Sequence, residues 1–161
     1  MTDQQRTIAR VVEYSGIGLF TGEEVKLCFK PAAENKGICF VRSDIEGRPK
    51  ISASTETVSD CERQISLQKN GVGIKSVEHV MAALAGLGID NIEIEMNGKE
   101  IPAGDGSSIL FTHLLKGAGI IHQKKPKKNF YLQSKLEVTN GDASIVALPY
   151  DKGLSLSYIL D

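Results

Sequence analysis

No C-x-x-C pair occurs in this 161-residue sequence, and its three cysteines, Cys28, Cys39 and Cys61, are odd in number. That argues against a disulfide framework and for reduced thiols. Net charge is nearly absent too, at −1, so no global bias draws the chain to nucleic acid or an anionic membrane. No apolar run approaches the length needed to span a bilayer, and the opening MTDQQRTIAR lacks the apolar core of a signal peptide. A soluble, cytoplasmic protein without a transmembrane segment is the expectation. The turn Gly16-Ile-Gly-Leu-Phe-Thr-Gly22 lacks a Gly-Lys-Ser/Thr ending and runs into a strand-like segment. A P-loop is excluded on that ground. Histidine is sparse, with only His79, His113 and His122. What the sequence does have is 41% hydrophobic residues, in a length that suits one medium domain, or a small domain plus part of another.

The clearest helical pattern runs from Val72 to Asp90, with Val77, Val80, Met81, Leu84 and Leu87 spaced for one buried face. Ser76 is the expected N-cap, and Gly86 and Gly88 supply the stop. Glu78 and His79 then fall in the first turn, where the positive end of the helix suits a carboxylate. A carboxylate base beside an imidazole is a pairing that metal hydrolases use, one to take a proton from water and the other to hold the ion. Neighbouring helical residues point about 100° apart, so both can reach one water while only one touches a metal. Taken alone, a Glu-His dipeptide on a helix is commonly no more than surface polarity.

Strands are expected at Arg6 to Tyr14, Glu24 to Lys30, Gly37 to Arg42 and Asn91 to Met96, with the second and third paired as a hairpin. Asn70-Gly71 is read as a turn leading into the helix. A second helix is expected over Ser107 to Lys116, N-capped by Asp105, with Ile109, Leu110, Leu114 and Leu115 as its apolar set. His122 to Asn129, HQKKPKKN, is a basic, proline-broken stretch. Without interleaved aromatics it is read as a linker rather than a nucleic-acid or membrane patch. Strand-like segments follow at 130–132, 136–139, 144–148 and 154–160. The fold class is therefore α+β: one complete two-layer domain, an antiparallel sheet with two helices, over 1–123. Residues 124–129 are the linker, and 130–161 open a second, similar domain as an incomplete strand meander.

Several of these stretches together carry a family resemblance. Ser76-Val-Glu-His79, its continuation Ala82 to Asn91, Glu100-Ile-Pro102, Asp105-Gly-Ser107 and the Gly16 to Gly22 turn resemble the UDP-3-O-acyl-N-acetylglucosamine deacetylases, the LpxC family of lipid A biosynthesis. The resemblance implies two α+β domains packed helix-to-helix, with a zinc ion between them. It makes His79 a zinc ligand and Glu78 the general base that deprotonates a zinc-bound water for attack on the N-acetyl carbonyl. The family's other two ligands form a His-x-x-x-Asp pair in the second domain, with a further catalytic histidine beyond. No histidine follows His122 here. Phe20 stands where the family usually carries a histidine, and Gln64 where a cysteine is frequent. The expectation is an amino-terminal portion, truncated or completed by a separate chain, and inactive alone on UDP-3-O-acyl-N-acetylglucosamine. The alternative is a non-catalytic homologue that binds nucleotide-sugar or regulates an intact enzyme.

Overall fold

The chain from Gln4 to Ile17 forms two strands, not the single one expected. β1 spans Gln4–Ile8 and β2 spans Val12–Ile17, in a computed structural model that describes residues 3–59 and 62–159. Between them Ala9 leaves its neighbours and donates its N–H to Gly119 O at 2.9 Å. There follow β3 (Glu24–Pro31), β4 (Ile38–Arg42), β5 (Lys50–Ser52), a 3-10 turn at Thr55–Thr57, β6 (Leu67–Lys69) and β7 (Val72–Ile74). The remainder comprises α1 (Glu78–Leu87), β8 (Ile92–Met96), α2 (Ile109–Gly117), β9 (Ile120–Pro126), β10 (Leu136–Asn140) and β11 (Ala143–Ala147). Two compact units result, Met1–Lys127 and Lys128–Asp161.

The first unit is α+β, built on a five-stranded sheet in the order β2-β3-β8-β4-β5. β3 and β4 do not pair with each other, contrary to the hairpin expected from their adjacency. β8 lies between them, antiparallel to β3 and parallel to β4, and the sheet's two other pairs, β2–β3 and β4–β5, are antiparallel. The physical reason is burial. Ile92, Ile94 and Met96 are all fully buried, and a strand this apolar sits best with a ladder on both edges. Its inward face meets Leu27 and Phe29 of β3 and Phe40 of β4, and the helices cover that layer with Val80, Ala83, Leu84, Phe111 and Leu115. The opposite face is polar. It carries the ion pairs Lys26–Glu13 at 2.8 Å, Lys30–Glu95 at 2.6 Å, Lys50–Glu93 at 2.6 Å and Arg48–Glu95. Cys28 and Cys39 are free thiols, and burial pushes both up from the usual thiol range. Cys61 lies outside the described residues.

Helix α1 ends as expected. Gly88 takes the left-handed conformation (φ 64°) that closes the last turn, and Ile89 N–H returns to Leu84 O at 3.0 Å. Helix α2 is two residues shorter at its start than expected, and its buried members are Phe111 and Leu115, whereas Ile109 is 57% exposed. Asn70-Gly71 turns β6 into β7, a short hairpin, before the helix begins. The basic stretch is not wholly a linker. Lys124 to Pro126 finish β9, which pairs antiparallel with β1, and Glu34 accepts from the backbone N–H of Lys124 at 2.5 Å and Lys125 at 3.0 Å. Alternation cannot announce such a strand, because one side of it is held by polar bonds rather than apolar burial. Gln123 and Asn91 join there at 2.7 Å.

Among its described residues, the second unit contains a single hairpin, β10 with β11, in the register Leu136↔Ala147 to Asn140↔Ala143. Residues 130–132 and 154–159, expected as strands, are not strands. An extended segment needs a neighbouring ladder to hold its N–H and C=O groups, and among the described residues none reaches them. Phe130 is 96% exposed and Tyr158 85%. A lone hairpin with its apolar side chains in water is marginal. Amide exchange across 130–159 of the monomer should therefore be complete in seconds to minutes at neutral pH, while β3 and β8 stay protected by orders of magnitude. Hydrogen-exchange mass spectrometry reads both, and uniform protection of 130–159 would contradict this.

No helix among the described residues is long and apolar enough to cross a membrane.

Candidate active site at the start of helix α1

Glu78 and His79 are the first two residues of α1, and both are half-buried. Adjacent helical residues diverge, so the pair presents a carboxylate and an imidazole to one end of the helix from two directions. Glu78 is held in place. Its Oε2 accepts from Ile65 N–H at 3.0 Å, which ties the helix start to the segment before β6. One bond to one oxygen leaves the carboxylate oriented while its other oxygen can serve as an acceptor.

Ser76 does not cap the helix as expected. Val77 occupies the cap position with helical backbone angles and no side-chain bond, and Ser76 is left-handed, with φ 59°. A left-handed serine costs on the order of 1 kcal/mol, so neighbouring contacts must enforce it. They do: Lys75 N–H bonds Lys99 O at 2.8 Å, Ile101 N–H bonds Lys75 O at 3.0 Å, and Val77 N–H bonds Ile65 O at 3.2 Å. The turn aims the Ser76 hydroxyl away from the helix. It lies 3.0 Å from Gln64 Oε1 and 3.3 Å from Glu100 Oε1. Phe20 is half-exposed, and its backbone N–H donates to Glu100 Oε1 at 2.9 Å. Both positions singled out in the sequence, 20 and 64, thus belong to the surroundings of Ser76.

Asp105 is also not the helix cap expected of it. It folds back on its own loop, accepting from Ser107 N–H at 3.0 Å and Ser107 Oγ–H at 2.8 Å. Those bonds hold its carboxyl below the usual range, with a smaller push from His79, so the two residues share a neighbourhood. Nothing in the sequence pattern links them. His113 is exposed on α2 and His122 exposed on β9, and neither joins this cluster.

Among the described residues, no group of three or more His, Cys, Asp or Glu side chains is arranged to hold a metal ion. Catalytic zinc takes about three protein ligands with one position open. The residues present do not fit a catalytic zinc by themselves. His79 offers one imidazole, and Glu78 offers a base beside it.

The model of the UDP-3-O-acyl N-acetylglycosamine deacetylase (LpxC) family matches residues 5–161. The chain belongs to that family. It is 38% identical over 158 residues to the UDP-3-O-acyl-N-acetylglucosamine deacetylase of Hahella chejuensis, covering 98% of this chain and 52% of that protein. It is 39% identical over 159 residues to the protein of the same name from Actinobacillus pleuropneumoniae serotype 3, again covering 98% and 52%. Coxiella burnetii supplies another at 37% over 158 residues, with the same coverage. The chain thus spans about half the length of the curated relatives it matches.

Proposed function

We propose that this sequence forms the amino-terminal part of a zinc-dependent deacetylase that removes the N-acetyl group of UDP-3-O-acyl-N-acetylglucosamine in lipid A biosynthesis. Family membership supports the reaction class. The observation that carries the residue assignment is the anchored, half-buried Glu78 next to His79 at one helix end. In this reading Glu78 takes the proton of the attacking water, and returns one to the departing amine. His79 is one zinc ligand. The remaining ligands come from a second lobe, on the same polypeptide or a separate one.

The corollary is that these 161 residues alone neither hold zinc stoichiometrically nor hydrolyse the amide. One imidazole cannot supply the three donors that a catalytic site needs. Metal analysis after dialysis of the purified chain against equimolar zinc, then chelator-free buffer, should find well under one zinc per chain. One tightly held zinc per chain would overturn the ligand count. Binding of UDP-sugar by the chain, with no hydrolysis when a second lobe is supplied, would favour a binding module instead.

A further inference from the structure

Glu100 has no part in the chemistry above, yet it is 0% exposed, a carboxylate wholly out of water. A buried carboxylate persists only where several donors satisfy it. Here its Oε1 accepts from Phe20 N–H at 2.9 Å and its Oε2 from Thr21 N–H at 2.7 Å, with the Ser76 hydroxyl 3.3 Å from Oε1. Burial pushes the carboxyl up, and these bonds more than offset it, leaving it below the usual carboxylate range. The ionised form is therefore the bonding form. Two of its partners lie about eighty residues away in sequence, on the turn after β2, and the third lies two residues before Glu78.

The turn is shaped around this carboxylate. A Cβ added at Gly18 would sit 2.6 Å from Glu100 Oε2 and 2.5 Å from Thr21 Oγ1, closer than any real contact. Gly18 N–H bonds Glu23 O at 3.0 Å and Gly22 N–H bonds Gly18 O at 3.0 Å, so the turn closes on itself and presents its N–H groups inward. Leu19 and Phe20 are thereby left with their side chains largely exposed. On the other side, the backbone around Glu100 pairs with Lys75 as an isolated parallel bridge, through Lys99 O and Ile101 N–H, next to the left-handed Ser76 from which α1 departs.

We infer that Glu100 is the positioning residue of the Glu78–His79 site. It locks the Gly18–Gly22 turn and the lead-in of α1 into one rigid piece. The turn then forms a fixed wall beside the helix start, and Glu78 and His79 leave the backbone at one set direction. The inference rests on the deacetylase reading for what the site does, but its structural content is measured without turnover.

The test uses the 161-residue chain and NMR. Glu100→Ala should speed amide exchange of Phe20 and Thr21 about tenfold or more, the worth of one to two hydrogen bonds to a charged acceptor. The same variant should shift the ring resonances of His79 and the amide of Glu78, which Glu100 does not touch. Formate should restore both sets, and chloride at equal ionic strength should not, because a carboxylate is what the donors require. Ser76→Ala keeps the buried carboxylate and removes one donor. It should move His79 and Glu78 while leaving Phe20 and Thr21 protected, and it serves if Glu100→Ala fails to fold. Freed Phe20 and Thr21 amides with Glu78 and His79 unmoved would overturn the inference, as would a Ser76→Ala spectrum unchanged at those two residues. Failure of the deacetylase reading would appear separately, as absent hydrolysis once a second lobe is supplied, with this coupling intact.

Discussion

Glu78→Gln should cut kcat for deacetylation about 10²–10⁴-fold, the usual worth of a positioned general base, with KM little changed. The measurement needs a catalytically complete protein. A fusion of this sequence to the carboxy-terminal half of the Actinobacillus pleuropneumoniae relative supplies the part of the family's length that the chain does not cover. Glutamine is the informative substitution because it preserves geometry. Its amide oxygen can still accept from Ile65 N–H, the contact at 3.0 Å that orients residue 78. What it cannot do is take a proton at neutral pH. Stability should stay within about 0.5 kcal/mol of the parent, as for substitutions that break no buried contact. Glu78→Ala would confound the two effects, since it also orphans the Ile65 N–H. If Glu78→Gln in an active fusion kept kcat within a few-fold, the base would have to be another group. Asp105, in the electrostatic neighbourhood of His79, would be the first to test.

Legibility in the sequence followed burial. β3, β4 and β8 lie within a residue of their expected bounds, β3 and β8 because each alternates an inward apolar residue with an outward polar one, β4 because it is a short apolar run after a glycine turn. Helix α1 was legible for the same reason, and so were Glu78 and His79 at its start. Features made by polar bonds were not. Ser76 reads as a cap by residue type, but the backbone pairing of Lys75 with Lys99 and Ile101 twists it left-handed and turns its hydroxyl toward Gln64 and Glu100. Glu100 itself reads as one acid in a short extended segment, and no periodicity marks a buried carboxylate whose donors lie far off in sequence. The end of β9, Lys124 to Pro126, reads as linker because lysines and a proline dominate it, while the strand's ladder to β1 is fixed by Gln5, Asn91 and Gln123. The order of strands was illegible too, since nothing local says that β8 enters between β3 and β4.

The largest structural effect is expected at a residue that the helical pattern of α2 did not single out. Phe111→Ala should destabilise the first unit by about 3–5 kcal/mol. Phe111 is 0% exposed, its ring edge-on to Tyr14 with centroids 6.0 Å apart and tilted against Phe29 at 6.3 Å. It therefore joins α2 to both β2 and β3, and truncation leaves a void lined by rings that cannot collapse into it cheaply. Urea unfolding followed by far-UV circular dichroism at 222 nm reads the result, since α1 and α2, the two α-helices among the described residues, lie in the first unit. The midpoint should fall with the slope unchanged. Against a total stability of about 5–15 kcal/mol, a loss of this size would leave the unit partly unfolded at 37 °C. Ile109→Ala is the control, because Ile109 is 57% exposed and its removal should cost under about 1 kcal/mol. Apolar spacing alone ranked Ile109 among the inward residues. If the two variants cost the same, α2 must meet the sheet through Leu114 and Leu115, and the aromatic contact across β2 and β3 would be incidental to the fold.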